Sequence, residues 1–257
     1  MQHRSLNLDV VGPVARITIA GETENRIDRR VLLELRGAAT EIAAQPEISV
    51  VLLDAAGPDF CAGWQAAFWE ELARERLEPA SGLLDPFGPL ADLACPVVAA
   101  AQGRTFSAGL ELLLCADIRL AAADASFGMP EAVEGRLPLA GATQRLPRLL
   151  GRARALAMLL TGDSIDAATA LSAGLVSRVV PSGDLAATAT AVATRLAERG
   201  PIALRYAKEA VKRGLEMPLE QALRYETDLS VILQSTEDRA EGVRAFLEKR
   251  PPRFKGR

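Results

Sequence analysis

The stretch ACPVVAAAQGRTFSAGLELLLCADIRLAAADASFGMPEAVEG, residues 94–135, decides the reading of the chain. Residues 96–101 are an apolar run long enough for one buried strand. Gly103 breaks that run, and Ser107, Ala108 and Gly109 are small enough for one backbone to approach another closely. Residues 110–116 read as an apolar helix carrying a single carboxylate, Glu111. A second strand is predicted over 118–122. Pro130 suits the first position of a helix, which places Glu131 in its first turn. Two carboxylates therefore stand among apolar neighbours, each just after a turn. Spacing alone leaves Glu111 open between a solvated helix face and a buried acid that needs a partner or a task.

Composition narrows the chemistry. The chain has 257 residues, is 49% hydrophobic, and carries a net charge of −3 with a pI near 5.5. That supports a sizeable core and offers no basic field for nucleic acid. No apolar run reaches the ~20 residues needed to cross a membrane, and the first ten residues lack the apolar centre of a signal peptide, so a cytoplasmic protein is expected. Cys61, Cys95 and Cys115 are odd in number and set in apolar surroundings, which favours core packing over disulfides or zinc. The single histidine, His3, rules against a Ser-His-Asp or Cys-His machine. No phosphate loop or dinucleotide fingerprint is present. Acid–base work falls to carboxylates and backbone groups, with no metal or redox cofactor expected.

Outside the central stretch, residues 6–19 alternate as a hairpin turned at Gly12-Pro13. Asp28 can cap a helix through about residue 44, and 50–53 is a buried strand. Residues 66–76 look helical, and 77–89, with Pro79, Gly82, Pro86 and Gly88, read as a loop. Two helices are predicted over 143–160, broken at Gly151. Asp166 caps a short helix ended by Gly174, and 175–180 is a last strand. From 185 onward the pattern is helical, with segments at 185–198, 201–213, 218–233 and 237–249. Leu219, Leu223, Tyr225, Leu229 and Leu233 form an apolar face that suits either a subunit contact or an internal core.

The ordered motifs FSAGLELLLCAD, ASFGMPE and LPLAGATQRLPRLLG, with the tail FLEKRPPRFKG, resemble the enoyl-CoA hydratase/isomerase (crotonase) superfamily over nearly the whole chain. The resemblance implies an α/β crotonase fold: a spiral of repeated ββα units over 1–195, and a helical region over 196–257 that makes homotrimer or homohexamer contacts. It implies hydration of an α,β-unsaturated acyl-CoA, with Glu111 and Glu131 catalytic and the backbone N–H groups of Trp64 and Ala108 forming an oxyanion hole. Glu131 would donate the proton to C2 and Glu111 would hold and activate water. The likeness places coenzyme A, itself part of the substrate, near Asn25, Arg26, Ile27, Ala62 and Gln65, with Phe246 and Lys249 reaching it from the tail. Arg26 reads equally well as a solvated surface residue. Where the family often has Ala-Asp this chain has Trp64-Gln65, and where three glycines are frequent it has Ser107-Ala108-Gly109. Both departures bear on substrate size. Another crotonase-type reaction, isomerisation or hydrolysis, and a non-catalytic oligomeric binding protein are the alternative readings.

Overall fold

The structure, a computed structural model, describes residues 5–21, 24–74 and 85–257. Strands β1 (Leu6–Val11) and β2 (Val14–Ile19) form the expected hairpin, and Gly12 takes the left-handed conformation its turn requires. Helix α1 (Arg29–Ala43) starts at Asp28, whose carboxylate accepts the Val31 N–H at 2.8 Å. There follow β3 (Val50–Ala55), α2 (Ala66–Arg74), α3 (Gly88–Ala91), β4 (Val97–Ala101), β5 (Arg104–Phe106), α4 (Ala108–Leu113), β6 (Ile118–Ala122) and β7 (Ser126–Gly128). A 3-10 turn at Pro130–Glu134 precedes α5 (Ala142–Leu150), α6 (Arg152–Thr161), β8 (Ile165–Asp166), α7 (Ala167–Ser172) and β9 (Arg178–Val180). Helices α8 (Leu185–Ala197), α9 (Pro201–Gly214), α10 (Leu219–Gln234) and α11 (Glu237–Leu247) complete the chain.

Six strands form one sheet in the order β1-β2-β3-β4-β6-β9, antiparallel at the hairpin and parallel from β2 onward. Its central strands are largely apolar because both faces are covered. Val50, Leu52, Val98, Ala100, Leu120 and Ala122 face α8, while Val51, Leu53, Val97, Ala99, Ala101 and Ala121 face the main core. A second sheet, β5-β7-β8, lies on that core side. The chain thus climbs in turns: a strand in the first sheet, a short strand in the second, then a helix. β4-β5-α4 is one such turn, and the next runs β6-β7 into the 3-10 segment. That repetition is the α/β spiral implied by the sequence, with the helical C-terminal region beyond it.

Several boundaries differ from expectation. Helix α4 begins at Ala108 rather than 110, because the turn at Ser107 passes directly into it. Strands β5, β7 and β8 are only two or three residues long, too short to leave an alternation pattern. Part of the expected loop over 77–89 is helical: Gly88–Ala91 closes one turn, with Pro89 in its opening positions where no N–H is needed. The rest of that loop through 84, the end of the helix expected to 76, and His3 lie outside the described residues. Glu131 sits on a 3-10 rather than an α turn. The last strand is confined to 178–180, while Leu175 and Val176 are buried just before it.

The fold brings two loops from neighbouring turns of the spiral together. Phe106 donates its N–H to Cys61 O at 3.0 Å and Cys61 donates to Arg104 O at 3.1 Å. Gly109 packs so tightly on this segment that a Cβ there would lie 2.3 Å from Cys61 O. Gly109→Ala is therefore expected to cost about 2–3 kcal/mol. Thermal unfolding should show a midpoint lower by roughly 5–10 °C.

Candidate active site

Glu111 lies on α4 and is completely buried. Its Oε1 accepts the N–H groups of Ala140 at 2.7 Å and Ala142 at 3.1 Å. Both donors belong to the loop entering α5, where Gly141 adopts φ +100. Arg145 fixes that loop by donating to Ala140 O at 2.7 Å and pairing with Asp85 at 3.1 Å. Glu131, on the 3-10 turn after β7, is 3% exposed, and its Oε1 accepts the Ser107 hydroxyl. The second oxygen of each carboxylate, Glu111 Oε2 and Glu131 Oε2, is buried without a protein partner.

The two acids share an environment that resists charge. Burial raises Glu111 to about 7; the charge of Glu131 adds to the rise, and the two backbone donors hold it down. Burial also raises Glu131, against the lowering effect of the Ser107 hydroxyl.

The segment 61–65 is held on its other side by residues 24–27. Ala62 donates to Glu24 O, Ile27 donates to Gly63 O, and Gln65 donates to Ile27 O. This short parallel bridge uses the N–H of Gln65 and leaves that of Trp64 outside the pairing. Among the described residues, neither the Trp64 N–H nor the Ala108 N–H has a backbone acceptor. Gly63, at φ +118, lets the two segments meet: a Cβ on it would come within 2.9 Å of Ser107 Cβ.

The Trp64 side chain, 3% exposed, is stacked between Phe68 and Phe87, with ring centroids 4.8 and 5.8 Å away. Its indole lowers the Glu111 value as a hydrogen-bonding neighbour does, while Nε1 itself has no partner within bonding distance.

The residues expected to meet coenzyme A occupy different settings. Asn25 is buried, donating to Ala56 O and Asp59 O and accepting from Gly21 N, so its amide joins three loop segments. Ile27 and Ala62 are buried beside the amide pair. Gln65 is half-buried, and Arg26 pairs with Glu24 at 3.1 Å. Phe246 and Lys249 are exposed on and after α11, outside the loops that carry the glutamates. Four groups of this site were not legible as such in sequence: the Ala140 and Ala142 amides, Arg145 and the Ser107 hydroxyl. Their only trace was the glycine and small residues of the LPLAGATQR and FSAG motifs. A cleft of about 750 Å³ beside α9 contains neither glutamate, and its Lys208 and Lys212 are paired with Asp117 and Asp92. Among the described residues no group of three or more His, Cys, Asp or Glu is placed to hold a metal ion.

Residues 11–257 match the family model described as enoyl-CoA hydratase/isomerase. The chain is 40% identical over 232 residues to the probable enoyl-CoA hydratase EchA8 of Mycobacterium bovis, covering 90% of this chain and 89% of that one. It is 37% identical to the 2,3-dehydroadipyl-CoA hydratase of Escherichia coli K12 over 258 residues, covering 100% and 97%. The crystal structure of an enoyl-CoA hydratase from Bacillus anthracis superposes with a TM-score of 0.91 at 36% identity, covering 98% of this chain and all of that one.

The raised Glu111 value has a consequence for stability. The folded chain keeps this proton up to about 7, while the unfolded chain releases it near 4.5. Between those values the folded state binds the extra proton, so stability falls as pH rises, by about 3 kcal/mol across the window. Glu111→Gln should shrink that fall and melt above the parent at pH 8, as thermal unfolding at pH 5 and pH 8 would record.

Proposed function

Because the chain belongs to the enoyl-CoA hydratase/isomerase family, we propose that it hydrates an α,β-unsaturated acyl-CoA thioester to the 3-hydroxyacyl-CoA. The observation that carries this reading is the pair of buried glutamates, each with one oxygen unpartnered, beside two backbone N–H groups without acceptors. The hydratase names of relatives that match along most of the chain support the same reaction.

The thioester oxygen accepts from the N–H groups of Trp64 and Ala108. These donors stabilise the negative charge that reaches the oxygen when C3 is attacked, and losing one such donor in comparable sites costs about 3 kcal/mol. Water lies between the free oxygens of the two acids. Glu111, held toward its anion by two amide donors, takes the water proton as the oxygen adds to C3. Glu131, whose burial favours its neutral form, gives its proton to C2. Glu111 ends protonated and Glu131 ionised, and a proton passed between them resets the pair. Two acids of matched environment can divide the roles because only one is charged at a time.

The aromatic stack on Trp64 closes the acyl side of the site and favours a small acyl chain. Arg26 and Gln65, at the exposed edge of the 24–27 and 62–65 bridge, take the coenzyme A end. The exposed Val211 on α9, Leu215 just after it, and Leu219 and Leu223 on α10 suit assembly as a homotrimer or homohexamer.

Glu111→Gln and Glu131→Gln should each lower crotonyl-CoA hydration by a hundredfold or more while unfolding stays cooperative; near-parental turnover in both would refute these roles. In the parent, kcat/KM should rise with pH through about 7 as Glu111 ionises. Trp64→Ala retains the amide and opens the stack. Its kcat/KM should shift from crotonyl-CoA toward longer enoyl chains by roughly tenfold or more, measured over a panel of chain lengths.

A further inference from the structure

Ser107 stands between β5 and α4 with φ +53 and ψ −122. Those angles belong to the first corner of a type II′ turn, where glycine is the usual residue. A serine held there is strained, and such strain persists where the surrounding structure over-determines it. The surroundings of Ser107 do so. Its N–H donates to Gly128 O at 3.0 Å, and its O accepts the Glu111 N–H at 3.0 Å. A Cβ on Gly63 would lie 2.9 Å from Ser107 Cβ and one on Gly109 2.3 Å from Cys61 O, so both flanks leave little room to move.

A sharp strand–turn–helix with small neighbours is the geometry that exposes a nucleophilic serine, and the N–H of the next residue then serves the oxyanion. In this chain the next residue is Ala108, whose N–H has no acceptor among the described residues. The Ser107 hydroxyl is also joined to a carboxylate, Glu131 Oε1, which supplies the base such a nucleophile requires.

We propose that Ser107 is an acyl-accepting nucleophile and that the site carries a second activity, hydrolysis of coenzyme A thioesters. The proposal rests on the oxyanion-hole assignment and on no other part of the hydration reading. Ionised Glu131 takes the Oγ proton as Oγ attacks the thioester carbonyl carbon. The charge on the carbonyl oxygen is held by the Trp64 and Ala108 amides. The C–S bond then breaks, and Glu131 passes the proton to sulfur, releasing the coenzyme A thiol and leaving the acyl group as an ester on Ser107. Glu131 next deprotonates a water that adds to the ester carbonyl. Ser107 Oγ leaves with the proton returned to it. The sum is thioester plus water giving carboxylic acid plus thiol, with no oxidant or metal required. Hydration needs Glu131 protonated and hydrolysis needs it ionised, so ionisation of Glu131 should lower hydration and raise hydrolysis.

The test uses butyryl-CoA, which has no double bond to hydrate. Free coenzyme A is measured by chromatography, and acid-quenched protein is measured by mass spectrometry. The parent should release coenzyme A faster than buffer alone and show one butyryl group on the peptide containing Ser107, with release increasing as pH rises. Ser107→Gly relieves the strained turn, so it should melt at or above the parent. Its release should fall at least tenfold, and no adduct should form; Ser107→Ala serves as the second variant. Parent release no faster than buffer, or release undiminished in both variants, overturns the proposal. Crotonyl-CoA hydration measured alongside separates the two readings. Hydration without butyryl-CoA cleavage would leave Ser107 as a positioning partner of Glu131. Cleavage without hydration would sink the hydratase assignment instead.

Discussion

The site depends on two backbone segments touching where side chains would keep them apart. Residues 61–64 and 104–109 come from different turns of the spiral, and their hydrogen bonds run between Cys61 and both Arg104 and Phe106. Gly63 and Gly109 allow the approach, since a Cβ at either would collide with the opposite segment. Once seated, each segment has one amide directed away from its own pairing, at Trp64 and Ala108. Two backbone amides placed in this way need no side chain to be oriented, so their positions are set by folding. The large parallel sheet and its two cores position β4 and β6, and the short strands β5 and β7 then register the turns that follow them.

The carboxylates impose the opposite demand. Glu111 and Glu131 are placed where folding disfavours their charge, and each keeps an oxygen unsatisfied. That is a destabilising arrangement in a domain whose surroundings are otherwise close-packed. The chain offsets it unequally. Glu111 receives two amides from a loop that Arg145 clamps, whereas Glu131 receives one hydroxyl. Unequal support sets two otherwise similar acids apart, which is what a division of proton-transfer roles would need.

How much of this could be read from the chain follows from the range of each signal. Helices with local markers were legible: Asp28 and Asp166 cap through their own side chains, and Gly151 and Gly174 stop helices by their own conformations. The long apolar strands were legible because both faces are buried. Strands β5, β7 and β8 were not, since two or three residues carry no period and their pairing is decided by distant partners. Glu111 and Glu131 were found by motif, while their burial was not, because apolar spacing cannot say which side of a helix is covered. The amides of Ala140 and Ala142 had no identity to read: any residue supplies an N–H, and only the loop geometry aims it. Ser107 was visible as a departure from glycine, but its strained backbone and its bond to Glu131 exist only in three dimensions.

Both departures, Trp64 and Ser107, fall on the two touching segments, and their effects on the acids differ in kind. The Trp64 indole acts on Glu111 in the direction that favours its anion. Its ring is stacked between Phe68 and Phe87. The Ser107 hydroxyl draws Glu131 toward its anion as well, which works against a proton donor. If hydration were the only demand on the site, glycine at 107 would relieve the backbone strain and leave Glu131 the better acid. A strained serine that weakens the donor is easier to account for when Glu131 must also act as a base. The geometry that favours this is the hydrogen bond that the Ser107 hydroxyl donates to Glu131.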